Sequence, residues 1–478
     1  MFVKGMGKDN LGTVNFFCGL AVAAVMPLGV NARQAQCQDA PWTNLERGQA
    51  VRAPPQKFFR RSNLNRRCRW RKLPPMFSRL LQRWEIKAST GSHFDVLDGL
   101  RGVAILMVVV FHTFFTNPGS GFISEMIGYA IRGGWMGVPI FFVLSGFLIT
   151  YPFFKERRDD PNFFYARGYA WRRLAKIAPP FYLSLVLFTV FYWLRLRDPE
   201  YLRAALLWAA GLEDYFMPTV PFNLSYWSLI VEAHFYLLVP LLFFLTRGMS
   251  VRRTTLGLFL FFILLPLGLR LGAWQCEKFF ADGSHLRFFL ERFPLCQLDY
   301  FSWGVGFAGF YAEVELMREK FRRLAWLGYL GLGLLAATLA LWSFACLKFD
   351  IHDESKLWSI ETFRFLSAFS GFLLLFFVFN PAGGGAKIVG SSGLQFIGIV
   401  SYEWFLFHGP MVGWFRDSVG MTHGSASAYA WRTIVPLVAT FIFSVLVYRY
   451  FSLPILNRVR DSLKRQRQDE RVAVRAVK

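Results

Sequence analysis

The chain has 478 residues, of which 54% are hydrophobic, 54 are phenylalanine and only 18% are charged. A soluble protein carries about a quarter charged residues, and apolar runs long enough to cross a bilayer recur along this chain, which excludes a soluble globular domain. The net charge of +23 would suit a nucleic-acid binder, but the basic residues sit between and beside the apolar runs, where they act as topology signals.

The first 95 residues differ in kind from the rest. Residues 13–31, "TVNFFCGLAVAAVMPLGVN", follow Lys4 and Lys8 and resemble a signal-peptide core or an additional span. On either reading the "RRSNLNRRCRWRK" stretch behind them would be exported, against the positive-inside rule for everything downstream. The preferred account is a basic, largely disordered cytoplasmic extension, or an over-long start with the functional chain opening at Met76.

Ten apolar segments follow, near 97–116, 135–154, 177–196, 227–246, 254–273, 296–312, 324–346, 361–380, 393–415 and 432–452. They predict an all-α fold, a polytopic transmembrane helical bundle of about ten spans over residues 96–456, with a basic cytoplasmic tail over 457–478. Continuous apolar runs of about twenty residues do not fit a β-barrel, whose strands are half as long and alternate. The stretch 201–212, "YLRAALLWAAGL", is too short to span and reads as an interfacial or re-entrant helix.

The loops orient the bundle. Stretches 155–176, 247–253 and 313–323 are basic or basic-rich, whereas 197–226, 274–295 and 347–360 carry acidic residues and far less positive excess. This alternation puts both termini in the cytoplasm.

Ionisable residues inside the spans are the functional candidates, because inserting each costs about 2.5–3.5 kcal/mol. "LDGLRGVAILMVVVFH" carries Arg101 near its cytoplasmic end and His112 in its outer half. Eleven positions on a helix make about three turns and roughly 16 Å, so the two share one face. In the fourth span, "SYWSLIVEAHFYLLVP" is expected to bring Glu232 to the depth of His112, with His234 nearby. The ninth, "LQFIGIVSYEWFLFHGPMVGWF", places His408 at that depth and Glu403 nearer the middle. Arg172, Arg173 and Lys176 crowd the entry to the third span, just before Pro179 and Pro180; alone they read as an inside anchor. Ser145 and Gly146 in "GVPIFFVLSGFLIT" read as close helix packing, and Ser145 not as a nucleophile, since no base is evident beside it. The six cysteines form no CxxC and no Cys/His cluster, so no metal site is expected. Unpaired thiols are the default, although two of Cys276, Cys296 and Cys346 would share the outer face and could pair.

These segments together resemble the integral-membrane acyltransferase-3 family. "LDGLRGVAILMVVVFH" resembles its Arg-x10-His signature and "GVPIFFVLSGFLIT" its second span. "WSLIVEAHFYLLVPLL", "LDYFSWGVGFA" and "SYEWFLFHGPMV" are similar to later segments, in order, over about residues 95–456. The resemblance implies an enzyme of the bacterial inner membrane, with no bound cofactor. It would move an acyl group, most often acetyl, from cytoplasmic acyl-CoA to a hydroxyl of an envelope saccharide or glycolipid. By the same resemblance His112 would be the catalytic histidine with Arg101 its partner. Arg173 and Lys176 would be the donor-side pair, with Arg172 beside them, and Glu232 and His408 further motif positions. The chain departs from the family at Lys176, where arginine is usual, at Ala233, where a second glutamate is frequent, and at Ser452-Leu453-Pro454, where Glu-x-Pro is usual. About 22 residues follow the last span, so no fused hydrolase domain is expected.

On this reading a cationic inner mouth meets the phosphates of coenzyme A, and an imidazole at the other end acts as general base, its tautomer held by Glu232. The rival expectation is a proton-coupled secondary transporter, which also needs buried His, Glu and Arg; the internal repeats typical of that class are not evident.

Overall fold

Each of the ten apolar segments falls on helix in a computed structural model, which describes residues 94–477 apart from 115–121, 161–167, 213–221, 224, 276–292, 350–356 and 419–425. The expected N-terminal extension, with its apolar stretch 13–31, lies outside the described residues, as does Cys276. No strand occurs among the described residues. In chain order the helices are α1 (Asp95–Thr113), α2 (Phe122–Arg132), α3 (Gly137–Asp159), α4 (Tyr169–Leu196), α5 (Glu200–Ala210) and α6 (Tyr226–Leu245). There follow α7 (Val251–Gln275), α8 (Asp299–Val314), α9 (Trp326–Phe349), α10 (Leu357–Leu374), α11 (Gly384–Val389), α12 (Ser392–Ile399), α13 (Ser401–Ser418), α14 (Ala426–Val447) and α15 (Leu453–Val477).

Eight helices among the described residues are long and apolar enough to cross a membrane. The sixth and ninth predicted spans are the shorter ones. The sixth is α8, 16 residues long and preceded by a 3-10 turn at Pro294–Gln297. The ninth is broken at Val400 into α12 and α13. The stretch expected to lie at the interface is α5, which buries Tyr201, Ala204, Ala205 and Trp208. Beyond the last span a π-turn at Tyr448–Ser452 leads into α15, so the basic tail is helical.

Glycines decide how closely the central helices approach. A Cβ on Gly102 would fall 2.2 Å from the Leu394 carbonyl oxygen, and one on Gly398 would fall 1.8 Å from that of Asp98. Helices α1 and α12 therefore touch backbone to backbone, which any side chain would prevent. The same contact recurs between α3 and α8, where Gly146 meets the Phe301 carbonyl and Gly304 that of Val143. Aromatic rings fill the space around these crossings, with Phe235 stacked on Phe301 at 4.1 Å.

Arg157, only 2% exposed, fastens the far end of α3. Its guanidinium donates to the carbonyls of Phe243 and Thr246 and to the hydroxyls of Thr246 and Thr254. Those carbonyls close α6 and lack partners within the helix, so the arginine caps α6 while tying it to α3 and α7. Leucines such as Leu187, Leu194, Leu237, Leu245 and Leu264 point outward, as lipid-facing positions do.

Candidate active site

Two polar clusters share α1, one at each end. At the His112 end, His112 Nδ1 lies 2.9 Å from the Val108 carbonyl oxygen and 3.2 Å from His408 Nε2. His408, fully buried, has its own Nδ1 3.0 Å from the Trp404 oxygen and 2.9 Å from the Phe405 oxygen. Carbonyl oxygens only accept, so each Nδ1 carries the proton. His408 Nε2 is then a lone pair that accepts from His112 Nδ1–H. His112 Nε2 is the remaining basic nitrogen of the pair.

The residues just before α6 stand beside this pair. Asn223 donates from Nδ2 to the Leu406 carbonyl, and its Oδ1 accepts from the Ser225 backbone N–H. Asn223 and Ser225 therefore stand level with Leu406–Gly409, beside His408. Seven residues further along α6, Glu232 is about 10 Å deeper. The expectation that Glu232 shares the depth of His112 and holds its tautomer is thus overturned, and His408 stands in that place.

At the Arg101 end, Glu232 instead lines a cavity of about 40 Å³ with Arg101, Ser145, Arg173, Lys176, Tyr236 and Tyr402. Glu232 Oε1 accepts from the Ser145 hydroxyl at 2.6 Å and from the Tyr236 hydroxyl at 2.5 Å. Arg173 packs its guanidinium over the rings of Tyr169 and Tyr236, 5.9 and 5.7 Å from their centroids. Lys176 is surrounded by the charges of Arg101, Arg173, Asp98 and Glu403. Tyr402 donates to the Ile177 carbonyl at 2.9 Å, just before Pro179 and Pro180 interrupt the ladder of α4. This bond ties α13 to α4.

Of the residues expected at the site, His112 and His408 come together, and Arg101, Arg173, Lys176 and Glu232 come together about three helical turns away. Arg172 does not line the cavity; its guanidinium lies beside Gly168, one helical step round from Arg173. His234 turns to the Ile230 carbonyl at 2.8 Å. Ser145, expected to have no base beside it, has the Glu232 carboxylate. Tyr236 and Tyr402 escaped notice in the sequence as site residues, and Glu403 was visible there only as an ionisable residue within a span. The spacing of Tyr236, four positions after Glu232, is a legible signal, since i and i+4 share a helix face. Nothing in the sequence placed Glu403, 3% exposed, beside Lys176. Cys296 and Cys346 are buried and form no disulfide among the described residues, as the default reading has it.

Among the described residues the bundle thus carries a histidine pair at one end of α1 and a cationic cavity at the other. The acyltransferase-3 family model, described as an acyltransferase domain, matches residues 94–449, and the chain belongs to that family. The family's description is of an acyltransferase domain, which speaks for acyl transfer and against the transporter reading. Similar proteins include the peptidoglycan O-acetyltransferase OatA of Listeria monocytogenes, 24% identical over 386 residues that cover 75% of this chain and 55% of the relative. The O-acetyltransferase OatA of Staphylococcus aureus is 23% identical over 381 residues, covering 76% and 57%. The chain thus spans a little over half the length of these curated relatives. No solved structure matches.

Proposed function

We propose that this chain moves an acetyl group from cytoplasmic acyl-CoA to a hydroxyl of an envelope saccharide or glycolipid, with His112 as general base. The observation that carries the reading is the placement of His112 Nδ1 2.9 Å from the Val108 oxygen and 3.2 Å from His408 Nε2, from which the proton is assigned to Nδ1 and Nε2 is left basic. The acceptor hydroxyl gives its proton to Nε2 as its oxygen attacks the thioester carbonyl. The tetrahedral adduct collapses with loss of the C–S bond, and the imidazolium returns the proton to the departing thiolate. His408 Nε2 accepts from Nδ1–H throughout and stabilises the imidazolium, a service that a carboxylate performs in hydrolase triads.

The second cluster suits the donor's other end. Arg101, Arg173 and Lys176 supply three cationic groups to coenzyme A phosphates. The pantetheine arm has the reach of four to five extended residues, roughly 14–17 Å, which matches the roughly 16 Å along α1 between Arg101 and His112. A cavity of about 40 Å³ has room for only a few waters, so donor entry requires α4 or α6 to move aside. The excess of positive charge on alternate loops supports both termini in the cytoplasm, with the Arg101 end inward. An envelope sugar as acceptor rests on the relatives, one of which is named a peptidoglycan O-acetyltransferase.

Incubating membranes that contain the protein with radiolabelled acetyl-CoA tests the reading directly. Label in base-labile linkage on envelope glycan or glycolipid is the expected outcome. Absence of transfer from acetyl-CoA by protein that is folded and inserted would overturn the donor assignment.

A further inference from the structure

A second cavity, of about 410 Å³, lies apart from both clusters where the 3-10 turn Arg322–Ala325 enters α9. It is lined by Glu319, Arg322, Arg323, Ala325, Trp326, Tyr329 and Asn380. Charges of both signs therefore face one space, yet none of Glu319, Arg322 and Arg323 forms an ion pair among the described residues. Its rim is aromatic, with Trp326 58% and Tyr329 51% exposed. Tyr329 is held in place by the Gly385 backbone N–H, which donates to its hydroxyl at 2.8 Å. Exposed Trp and Tyr at the first turns of a spanning helix mark the headgroup level of a bilayer. Leu330, next to Tyr329 in the chain, is exposed as well.

We propose that this cavity binds the phosphoethanolamine headgroup of a membrane phospholipid, with the phosphate on Arg322 and Arg323 and the ammonium on Glu319 and the Asn380 side-chain oxygen. Two guanidiniums alone would suit any anionic lipid, because their planar forks pair with phosphate oxygens. The carboxylate is what selects. It repels the phosphate of a purely anionic headgroup and needs a cation one short linker away from that phosphate. An ethanolamine ammonium has three N–H donors for Glu319 and Asn380, whereas a choline nitrogen has none. The site lies outside the proposed acyl-transfer machinery, so its occupancy does not depend on that chemistry.

The test uses purified, delipidated full-length protein in mixed micelles doped with phosphatidylethanolamine, phosphatidylglycerol or phosphatidylcholine, read by native mass spectrometry. Wild type should bind phosphatidylethanolamine about tenfold more tightly than either other lipid, the size expected for one charge-assisted pair. Glu319→Gln should bring the three within about twofold, and the double variant Arg322→Ala with Arg323→Ala should lose about tenfold for both phosphatidylethanolamine and phosphatidylglycerol. Thermal melting of each variant in lipid-free micelles confirms that the bundle is intact. Equal or tighter binding of phosphatidylglycerol or phosphatidylcholine by wild type, or an unchanged preference in Glu319→Gln, overturns the proposal. Soluble O-phosphoethanolamine should not displace the lipid at matched concentration; displacement would make the ligand a free phosphate ester and overturn the lipid assignment.

Discussion

The two polar sites on α1 are built in opposite ways. At the His112 end, the groups that fix the rings are mostly backbone carbonyls of the same two helices, from Val108, Trp404 and Phe405. At the Arg101 end, side chains from α1, α3, α4, α6 and α13 converge, and the fixed contacts run between side chains, as Ser145 and Tyr236 do on Glu232. Carbonyls in regular helix cannot move far, so the histidine geometry is preorganised, as proton transfer requires. Side-chain networks across five helices can rearrange when those helices shift. On the proposed function, the first end would hold a proton position and the second would admit a charged ligand.

The largest effect expected of that contrast is at His112. His112→Ala and His112→Gln should each lower acetyl transfer by about 10²–10⁴-fold, the usual contribution of a general base, with insertion and melting unchanged. Glutamine can keep the contact to Val108 but cannot take a proton from the acceptor. Transfer at the wild-type rate by His112→Gln would end the general-base assignment, and the preorganised end would then need another function.

His408 should matter less and in a different manner. His408→Gln keeps an acceptor opposite His112 Nδ1–H through its side-chain oxygen, whereas His408→Leu removes it. We expect a loss of about tenfold for the first and about a hundredfold for the second, since orienting and stabilising a base is worth less than supplying one. The measurement is kcat for both variants in one membrane preparation. Equal losses would mean that His408 only packs.

Arg173→Glu should act on the other side of the comparison. It reverses a charge in the cavity and should raise KM for acetyl-CoA about tenfold or more, while leaving the acceptor KM near its wild-type value. Paired saturation curves, one in each substrate, decide it. An effect on the acceptor curve alone would exchange the roles of the two ends.

The sequence reading located the helices well because bilayer thickness and charge cost are written into hydropathy. It also placed Arg101 and His112 on one face, since a single helix fixes their spacing. It misplaced Glu232 because depth was counted from the start of the apolar run, as if α6 began at a membrane surface. The segment that leads into α6 lies level with His408, pinned there by Asn223 to the Leu406 carbonyl, a contact 183 residues apart that no local pattern reveals. The same limit hid Glu403. Its charge was visible, but its nearness to Lys176 follows from the bond of Tyr402 to Ile177 and the break at Val400. Arg172 shows the reverse error, since adjacency in sequence to Arg173 turns a side chain about 100° round a helix and out of the cavity.

The smallest expected effect sharpens the donor end most. Lys176 stands where the family resemblance implies an arginine, and it feels the charges of Arg101, Arg173, Asp98 and Glu403. Lys176→Arg preserves the charge balance of that group while adding a planar fork able to make two parallel hydrogen bonds to one phosphate. If the cavity reads donor phosphates, the variant should hold KM for acetyl-CoA constant or lower it by about twofold, with kcat and the acceptor KM unchanged. A purely structural lysine predicts otherwise. A bulkier guanidinium in a cavity of about 40 Å³ would then crowd Tyr402 and Glu403 and depress melting temperature and kcat together. Measuring KM, kcat and melting on the same purified variant therefore separates a phosphate ligand from a packed charge, even though neither outcome is large.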